Sequence, residues 1–260
     1  MNPTDIFSPS SRRLFVVELR KLVNTRFGAL LVAGMLAVLA LMTVALVTTG
    51  HEQHLSFQNM WGMLNLPMSY LLPIFAIVLV TSEWSQRTAL VTFALEPRRE
   101  RVLGAKLATS LVLTLAVLLV TATFAAIATG GALALRSGIP GWRLDPTITR
   151  NLAILQFARI LEGLAFGLVI RNTAIALVSF FAVPTAWTLL SSLLPWVGDH
   201  VRPWIDFAAA EQPFQNGEAP FESAHALTAT IWVHLAVSLA LWVGLPLWLG
   251  ALRMLRIEVK

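Results

Sequence analysis

Residues 107–135, LATSLVLTLAVLLVTATFAAIATGGALAL, form a continuous apolar stretch of 29 residues without a charged side chain. A helix that crosses the hydrocarbon core of a bilayer needs about 20 such residues. The stretch shows no alternation of apolar and polar residues, which a transmembrane barrel strand would require. It therefore predicts a membrane-spanning helix.

The composition of the whole chain agrees with a membrane environment. Of 260 residues, 57% are hydrophobic and 13% are charged, and the mean hydropathy is +0.72, whereas soluble domains average about 25% charged residues. Backbone polar groups inside a bilayer must bond to one another, so we expect an all-α integral membrane protein with one transmembrane domain over 1–260. The six spans predicted by apolar length are 27–49, 64–82, 107–135, 151–170, 173–195 and 228–252. Only the polar pair Arg171 and Asn172 separates the fourth span from the fifth, which predicts a tight hairpin.

The distribution of basic residues predicts the orientation. With the N-terminus on the cytoplasmic side, 14 of the 19 Lys and Arg residues lie on that side, four lie outside, and Arg159 lies within a span. We therefore expect both termini in the cytoplasm. The basic residues cluster where helices leave the membrane, so anionic membrane lipid, and not nucleic acid, is their expected partner. The chain has no cysteine and no metal-ligand spacing, and we expect neither disulfides nor a metal or cofactor bound by this chain.

The leader before the first span predicts an interfacial helix over 11–26. In SRRLFVVELRKLVNTRFG (11–28), apolar residues are interleaved with basic ones, as is typical of a helix that lies along the cytoplasmic face of a bilayer. Its polar residues include Glu18, Arg20 and Lys21. Such a helix is either a simple anchor or an elbow that couples lateral motion to the tilt of the first span.

The connection between the second and third predicted spans, SEWSQRTALVTFALEPRRERVLGAKL (82–107), is longer and more charged than a turn requires. The absence of Gly and Pro over 83–95 predicts a helix that opens at Glu83, where a negative charge favours the macrodipole. Residues on one face of this helix, at helical spacing, are Trp84, Thr88 and Val91. An amphipathic helix in this position either anchors to lipid headgroups or docks on a cytoplasmic partner.

The pattern E-x-x-x-R-T-x-x-x-T-F-x-x-x-P-R-R-x-R-x-x-x-x-K in 83–106 resembles the segment after the second span of ABC type-2 exporter permeases. Three further stretches are similar to that family: VELRKL (17–22), GLAFGLVIRNTAIAL (163–177) and WIDFAAAEQPF (204–214). The resemblance covers the layout of the whole chain and is concentrated in these four stretches.

The resemblance implies that 83–95 is a coupling helix that docks on a separate cytoplasmic ATPase. It also implies a transporter of two permeases and two ATPases in a bacterial cell membrane, with short outer re-entrant helices within 196–227. The two permeases are expected to be identical copies, and a heterodimer with a related permease is the alternative. ATP and Mg would bind the ATPase, because the chain contains no G-x-x-x-x-G-K-[ST] loop and is not expected to be an enzyme itself. The residues assigned to ATPase coupling are Glu83, Trp84, Arg87, Thr88, Val91, Pro97, Arg98 and Arg99.

Two charges lie near the middle of the fourth predicted span. Arg159 and Glu162 stand three residues apart on one helix and are predicted to form an ion pair, since an unpaired charge costs about 2.5 kcal/mol or more at that depth. The pair is a structural clamp, a polar lining of a pathway, or a proton site. The acids and histidines outside the spans are expected to be solvated loop residues: His51, His54, Asp199, His200, Asp206, Glu211, Glu218 and Glu222.

The expected cargo is a hydrophobic or amphipathic drug, lipid or peptide, moved out of the cell. The side chains proposed to line its pathway are Met68, Phe75, Phe180, Phe181 and Trp187, and ordinary helix packing explains them equally well. An ion-coupled secondary transporter that uses Arg159 and Glu162 is the alternative function. An intramembrane enzyme is not favoured, since the sequence has no GxSG or HExxH motif.

Overall fold

A computed structural model describes residues 11–52, 55–85, 98–136, 141–215 and 228–256 of the protein. Within these ranges 91% of the residues are helical and none belongs to a strand. The helices are α1 Ser11–Val23, α2 Arg26–Thr49, α3 Phe57–Ser85, α4 Arg99–Leu135, α5 Pro146–Ile170, α6 Thr173–Leu193, α7 Pro195–His200, α8 Arg202–Ile205, α9 Phe207–Gln215, α10 Ala229–Leu239 and α11 Leu245–Arg256, with a π-helical turn Ala240–Gly244 between the last two.

Six helices are long and apolar enough to cross a membrane: α2, α3, α4, α5, α6 and the continuous unit Ala229–Leu255 formed by α10, the π-helical turn and α11. This confirms the predicted number of spans and the multi-pass membrane class. The helices α3 and α4 extend beyond the predicted spans 64–82 and 107–135. The reason is that polar residues at the ends of these helices, such as Gln58 and Lys106, are buried inside the bundle, which a count of apolar residues does not detect.

The centre of the bundle is the contact between α3 and α5. In each of them 56% of the most apolar window is buried, against 17% in α2 and 11% in α6, whose outer faces are left to lipid or to another chain. Gly163 lets the two backbones approach closely, because a Cβ at this position would lie 2.5 Å from the carbonyl oxygen of Pro73. Close packing through small residues is typical of helix contacts in membranes.

A tight hairpin joins α5 and α6 at the polar pair predicted from sequence. Arg171 adopts a left-handed conformation with φ 57° and closes α5. Asn172 then caps α6, as its side-chain oxygen accepts a hydrogen bond from the backbone N–H of Ile175 at 3.1 Å.

One end of the bundle, called the α1 side below, brings together α1, the ends of α3, α5 and α11, and the beginnings of α4 and α6. Side-chain contacts from Lys21 to Glu83, from Thr81 to Thr173 and from Arg99 to Met254 establish this arrangement. The short helices α7 and α8 follow the end of α6 that lies away from the α1 side, and α9 packs against α5, α8 and α10.

Candidate functional site

Four charged side chains from three helices meet on the α1 side, and we call them the four-charge cluster: Glu18 and Lys21 of α1, Glu83 of α3 and Lys106 of α4. The Nζ of Lys21 lies 2.7 Å from a carboxylate oxygen of Glu18 and 2.7 Å from one of Glu83. The Nζ of Lys106 lies 2.9 Å from Glu18 and 3.2 Å from Glu83. Each cation contacts both anions, and the formal charges of these four groups sum to zero.

The cluster is buried unevenly. Lys106 is 1% exposed and Glu83 is 3% exposed, whereas the side chain of Lys21 is 33% exposed. The Nζ of Lys106 also donates a hydrogen bond to the carbonyl oxygen of Leu79 at 3.2 Å. Burial by itself lowers the pKa of Lys21, but the carboxylates of Glu18 and Glu83 outweigh it and raise the pKa above its usual value. The two carboxylates therefore stabilise the charged form of Lys21.

The helix α1 positions two members of the cluster. Glu18 and Lys21 stand three residues apart and so share one face, and that face is turned to the bundle. Glu18 is buried, while Arg20 on the other side of α1 is exposed, and so is Val17 at 49%. The predicted interfacial helix thus contacts the bundle through a charged residue and leaves part of its apolar surface outside.

Glu83 is in a different place from the one expected. It does not open a separate helix, because α3 continues to Ser85 and includes both Glu83 and Trp84. The Trp84 ring lies under the guanidinium of Arg171, whose Cζ is 4.9 Å from the ring centroid. The hydroxyls of Thr81, Thr173 and Ser85 form a further chain with spacings of 2.8 Å between neighbours. Both contacts join the end of α3 to the α5–α6 hairpin.

The predicted coupling helix 83–95 lies outside the described residues from position 86 onward. The assigned coupling residues Arg87, Thr88, Val91 and Pro97 are therefore outside them as well. Its far flank is described again from Arg98, which precedes α4. Arg99 donates from Nη1 to the carbonyl oxygen of Met254 at 3.1 Å and to that of Leu255 at 3.5 Å, near the end of α11. The segment 86–97 is therefore bounded by Glu83 in the four-charge cluster on one side and by Arg99 on the last helix on the other.

A second group of charges, called the triad below, comprises Arg159 and Glu162 of α5 and Glu211 of α9. The Nη1 of Arg159 donates to Glu162 at 2.9 Å, so the predicted ion pair forms. Its Nε donates to Glu211 at 3.1 Å, and its Nη2 hydrogen-bonds the other oxygen of that carboxylate. The guanidinium also lies over the ring of Phe207, with Cζ 4.2 Å from the ring centroid. Glu162 is 1% exposed, and the side chains of Arg159 and Glu211 are each 11% exposed.

The expectation that Glu211 and Asp206 are solvated loop residues is wrong. Asp206 is 2% exposed and caps α9 by accepting from the backbone N–H groups of Ala208 and Ala209, and it pairs with Arg202 at 3.2 Å. The cap starts a helix that folds back against α5 and carries Glu211 to Arg159. Burial raises the pKa of Glu211, and nearby Asp206 adds to the rise, while Arg159 and Gln215 oppose it without cancelling it.

A tryptophan of the last span also holds the short helices. The indole Nε1 of Trp242 donates to the carbonyl oxygen of Ile205 at 2.6 Å, and its ring stacks on Phe166 of α5 with centroids 6.3 Å apart. Trp242 belongs to the π-helical turn, a local widening that is frequent at functional positions in helices.

The residues proposed to line a cargo pathway fall into two groups. Met68 and Phe75 of α3 are 0% and 2% exposed and belong to the central core. On α6, Phe180 is buried against Phe166, whereas Phe181 is 41% exposed. Trp187 is partly exposed, and its buried Nε1 has no hydrogen-bond partner among the described residues. Of these five, only residues of α6 reach the surface of the bundle.

Sequence reasoning placed Glu83 in a partner contact and missed Glu211 as a partner of Arg159. Lys106, the last residue of the 83–106 pattern, was the one local signal for the four-charge cluster, because a lysine at the beginning of an apolar span needs a counter-charge. Comparison with known proteins finds no matching family model, no matching curated protein and no matching solved structure.

Proposed function

We propose that the chain is the transmembrane permease subunit of an ATP-driven exporter in a bacterial cell membrane. Its segment 86–97 receives mechanical work from a cytoplasmic ATPase that binds ATP and Mg. The observation that supports this most is the anchoring of both flanks of the segment, through Glu83 in the four-charge cluster and through Arg99 on the end of α11.

This anchoring couples the segment to most of the bundle. A displacement of 86–97 pulls on Glu83 and through it on Lys21 of α1 and Lys106 of α4. The same displacement moves Arg99 and the last turn of α11. Separating buried ionic partners costs about 3–5 kcal/mol, so the cluster moves as one body instead of stretching, and the attached spans change tilt together.

The residues in and around the segment have two proposed roles, contact with the ATPase and transmission of the motion. Trp84, Arg87, Thr88 and Val91 supply the contact to the ATPase, in the manner of a helix seated in a groove. Glu83 and Lys106 transmit the motion from inside the bundle, where both side chains are buried. The resemblance of 83–106 to the coupling segment of ABC type-2 exporter permeases supports the same assignment.

The proposed cargo is hydrophobic or amphipathic and passes between two copies of the chain. The helix α6 has the most open surface of the six spans, with 11% of its most apolar window buried. Phe181 and Trp187 on α6 are therefore the pathway candidates in a dimer, and Met68 and Phe75 serve the packing of the core.

The test is export by the chain co-expressed with the ATPase encoded beside it, measured together with co-purification. Arg87→Glu is expected to weaken ATPase binding by about 2 kcal/mol, or roughly thirtyfold, which is the scale of one interface hot spot, and to reduce export accordingly. Arg20→Glu is the matched control, since Arg20 is an exposed arginine on the same side that lies outside the segment. Export that continues with an ATPase unable to hydrolyse ATP would refute the proposal.

The triad favours one second candidate, an ion-coupled secondary transporter. In that case export requires no ATPase, stops when the proton gradient is collapsed, and depends on Arg159 and Glu162. The two candidates are separated by the same export assay, with an ATP-hydrolysis mutant in one arm and a protonophore in the other.

A further inference from the structure

The triad is enclosed within the bundle and joins a spanning helix to a short helix that crosses no membrane. Arg159 donates two hydrogen bonds to Glu211, from Nε and Nη2, and one to Glu162, from Nη1. All three nitrogen atoms of its guanidinium therefore donate to a carboxylate. Both carboxylates come from buried residues, with Glu162 at 1% and Glu211 at 8% exposure. The contact is the ionic link between α9 and α5.

The formal charges of the triad do not balance, because one guanidinium faces two carboxylates. Within the described ranges no second cation contacts Glu162 or Glu211. A net negative charge at this depth is costly, since charged groups are strongly disfavoured inside a bilayer and like charges that share one site resist joint ionisation.

The charged groups on neighbouring elements have partners of their own. Asp206, which also faces Glu211, pairs with Arg202 and accepts from Thr188 at 2.9 Å. Arg150 of α5 lies over the ring of Trp232 on α10, 5.4 Å from its centroid. His234 of α10 packs edge-on against Trp204 and lines a separate cavity of about 310 Å³ beside α9. None of these groups supplies the missing positive charge.

We propose that the carboxylates of Glu162 and Glu211 share one proton at neutral pH, which makes the triad electrically neutral and keeps α9 latched to α5. The proton comes from bulk water and returns to it, and no other reactant is needed. When the proton leaves, the uncompensated carboxylate weakens the latch and favours release of α9. The site is a proton-binding site, and its existence does not depend on whether ATP or an ion gradient drives transport.

The proton is favoured over a larger cation by the geometry. Both carboxylates are held by one guanidinium through direct hydrogen bonds, and a proton that binds an oxygen of either carboxylate requires no cavity of its own. The acid-to-amide variants imitate the protonated state with little change in shape, because a glutamine side chain is close in size to a neutral glutamic acid.

The experiment is infrared difference spectroscopy of the full-length chain in lipid nanodiscs, recorded between neutral and alkaline pH. The wild-type chain is expected to show the carbonyl stretching band of one protonated carboxyl group at neutral pH, and to lose it at alkaline pH. Glu211→Gln or Glu162→Gln should abolish the band, and two variants are used so that a folding defect in one leaves the other to decide. Glu18→Gln is the matched control, because Glu18 belongs to the balanced four-charge cluster, and it should retain the band.

Loss of the band in either glutamine variant supports the proposal and assigns the proton to that pair. Absence of a protonated carboxyl in the wild-type chain at neutral pH overturns it. Persistence of the band in both glutamine variants overturns it as well, because the proton then resides elsewhere.

Discussion

The two buried groups of charged side chains in this protein, the four-charge cluster and the triad, differ in their net formal charge. The four-charge cluster joins two carboxylates to two ammonium groups, with every cation within 3.2 Å of both anions. The triad joins two carboxylates to one guanidinium. In the first group these ion pairs balance one another, whereas in the second one carboxylate exceeds the positive charge, which is the basis of the proposed proton site.

The two groups also differ in their access to solvent. Lys21 is one third exposed, so the four-charge cluster touches the surface on the α1 side, where α3 ends and α4 begins. The triad has no member whose side chain is more than 11% exposed. In the proposed function, the first group transmits a force applied at the surface, and the second responds to the protonation of a single buried site.

The largest effect is expected from Arg159→Met, which removes the only cation of the triad. Both carboxylates then lack a counter-charge, and the free energy of unfolding should fall by about 3–5 kcal/mol. The measurement is reversible unfolding in mixed micelles. The matched control is Arg202→Met, which should cost clearly less, because the Arg202 side chain that pairs with Asp206 is 36% exposed. Equal losses of unfolding free energy for the two variants would show that the triad contributes no more to stability than the partly exposed pair of Arg202 and Asp206.

A somewhat smaller loss is expected from Lys106→Met, near the lower end of the same range of about 3–5 kcal/mol. Lys21 remains and contacts both carboxylates, so the four-charge cluster keeps one cation. Adding Glu83→Gln restores the charge balance, and the double variant should recover part of the stability in the same unfolding assay. A double variant that loses the sum of the two single effects would argue that the four side chains do not act as one group.

The next effect is a dependence of stability on pH that only the triad should show. The pKa of Glu211 is raised above its usual range. The folded protein therefore holds a proton that the unfolded chain has already released, and the free energy of unfolding should fall as the pH rises through the folded-state pKa. Each unit of pKa difference contributes about 1.4 kcal/mol.

Glu211→Gln should remove this slope and Glu18→Gln should leave it in place. The measurement is the unfolding temperature of the three proteins between acidic and mildly alkaline pH. A slope that survives in Glu211→Gln would assign the dependence to another group.

The smallest effect on stability is expected at the far flank of the segment. Arg99→Gln loses hydrogen bonds to the carbonyl oxygens near the end of α11 and should cost about 0.5–1.5 kcal/mol in the unfolding assay. Export should decline more than this small loss explains, because the segment would no longer pull on the last span. Normal ATP-driven export by Arg99→Gln would remove that flank from the coupling path.

The sequence predicted those features that depend on local spacing. Long apolar runs identified six spans, the spacing of Arg159 and Glu162 predicted their ion pair, and the pair Arg171–Asn172 predicted the α5–α6 hairpin. Each of these follows from residues that lie close together along the chain, where helical geometry alone fixes which side chains meet.

The partners that come from distant parts of the chain escaped prediction. Glu211 reaches Arg159 because Asp206 caps a short helix that folds back on α5, and an acid in an outer loop gives no sign of this. Local spacing placed Glu83 on an exposed amphipathic helix, but Lys21 of α1 and Lys106 of α4 contact it inside the bundle. A local amphipathic pattern shows which residues are polar. Whether water or another side chain is the partner of such a residue depends on the tertiary structure.

The most direct test of the proposed coupling is cross-linking at position 88 in intact cells that co-express the ATPase proposed as the partner. The chain has no cysteine, so Thr88→Cys introduces a unique thiol within the segment, and Ser192→Cys introduces one at an exposed position near the other end of α6. The account predicts that a thiol-reactive cross-linker joins Thr88→Cys to the ATPase, and that an impermeant thiol reagent labels only Ser192→Cys. Labelling of Thr88→Cys from outside the cell, with no adduct to the ATPase, would contradict it.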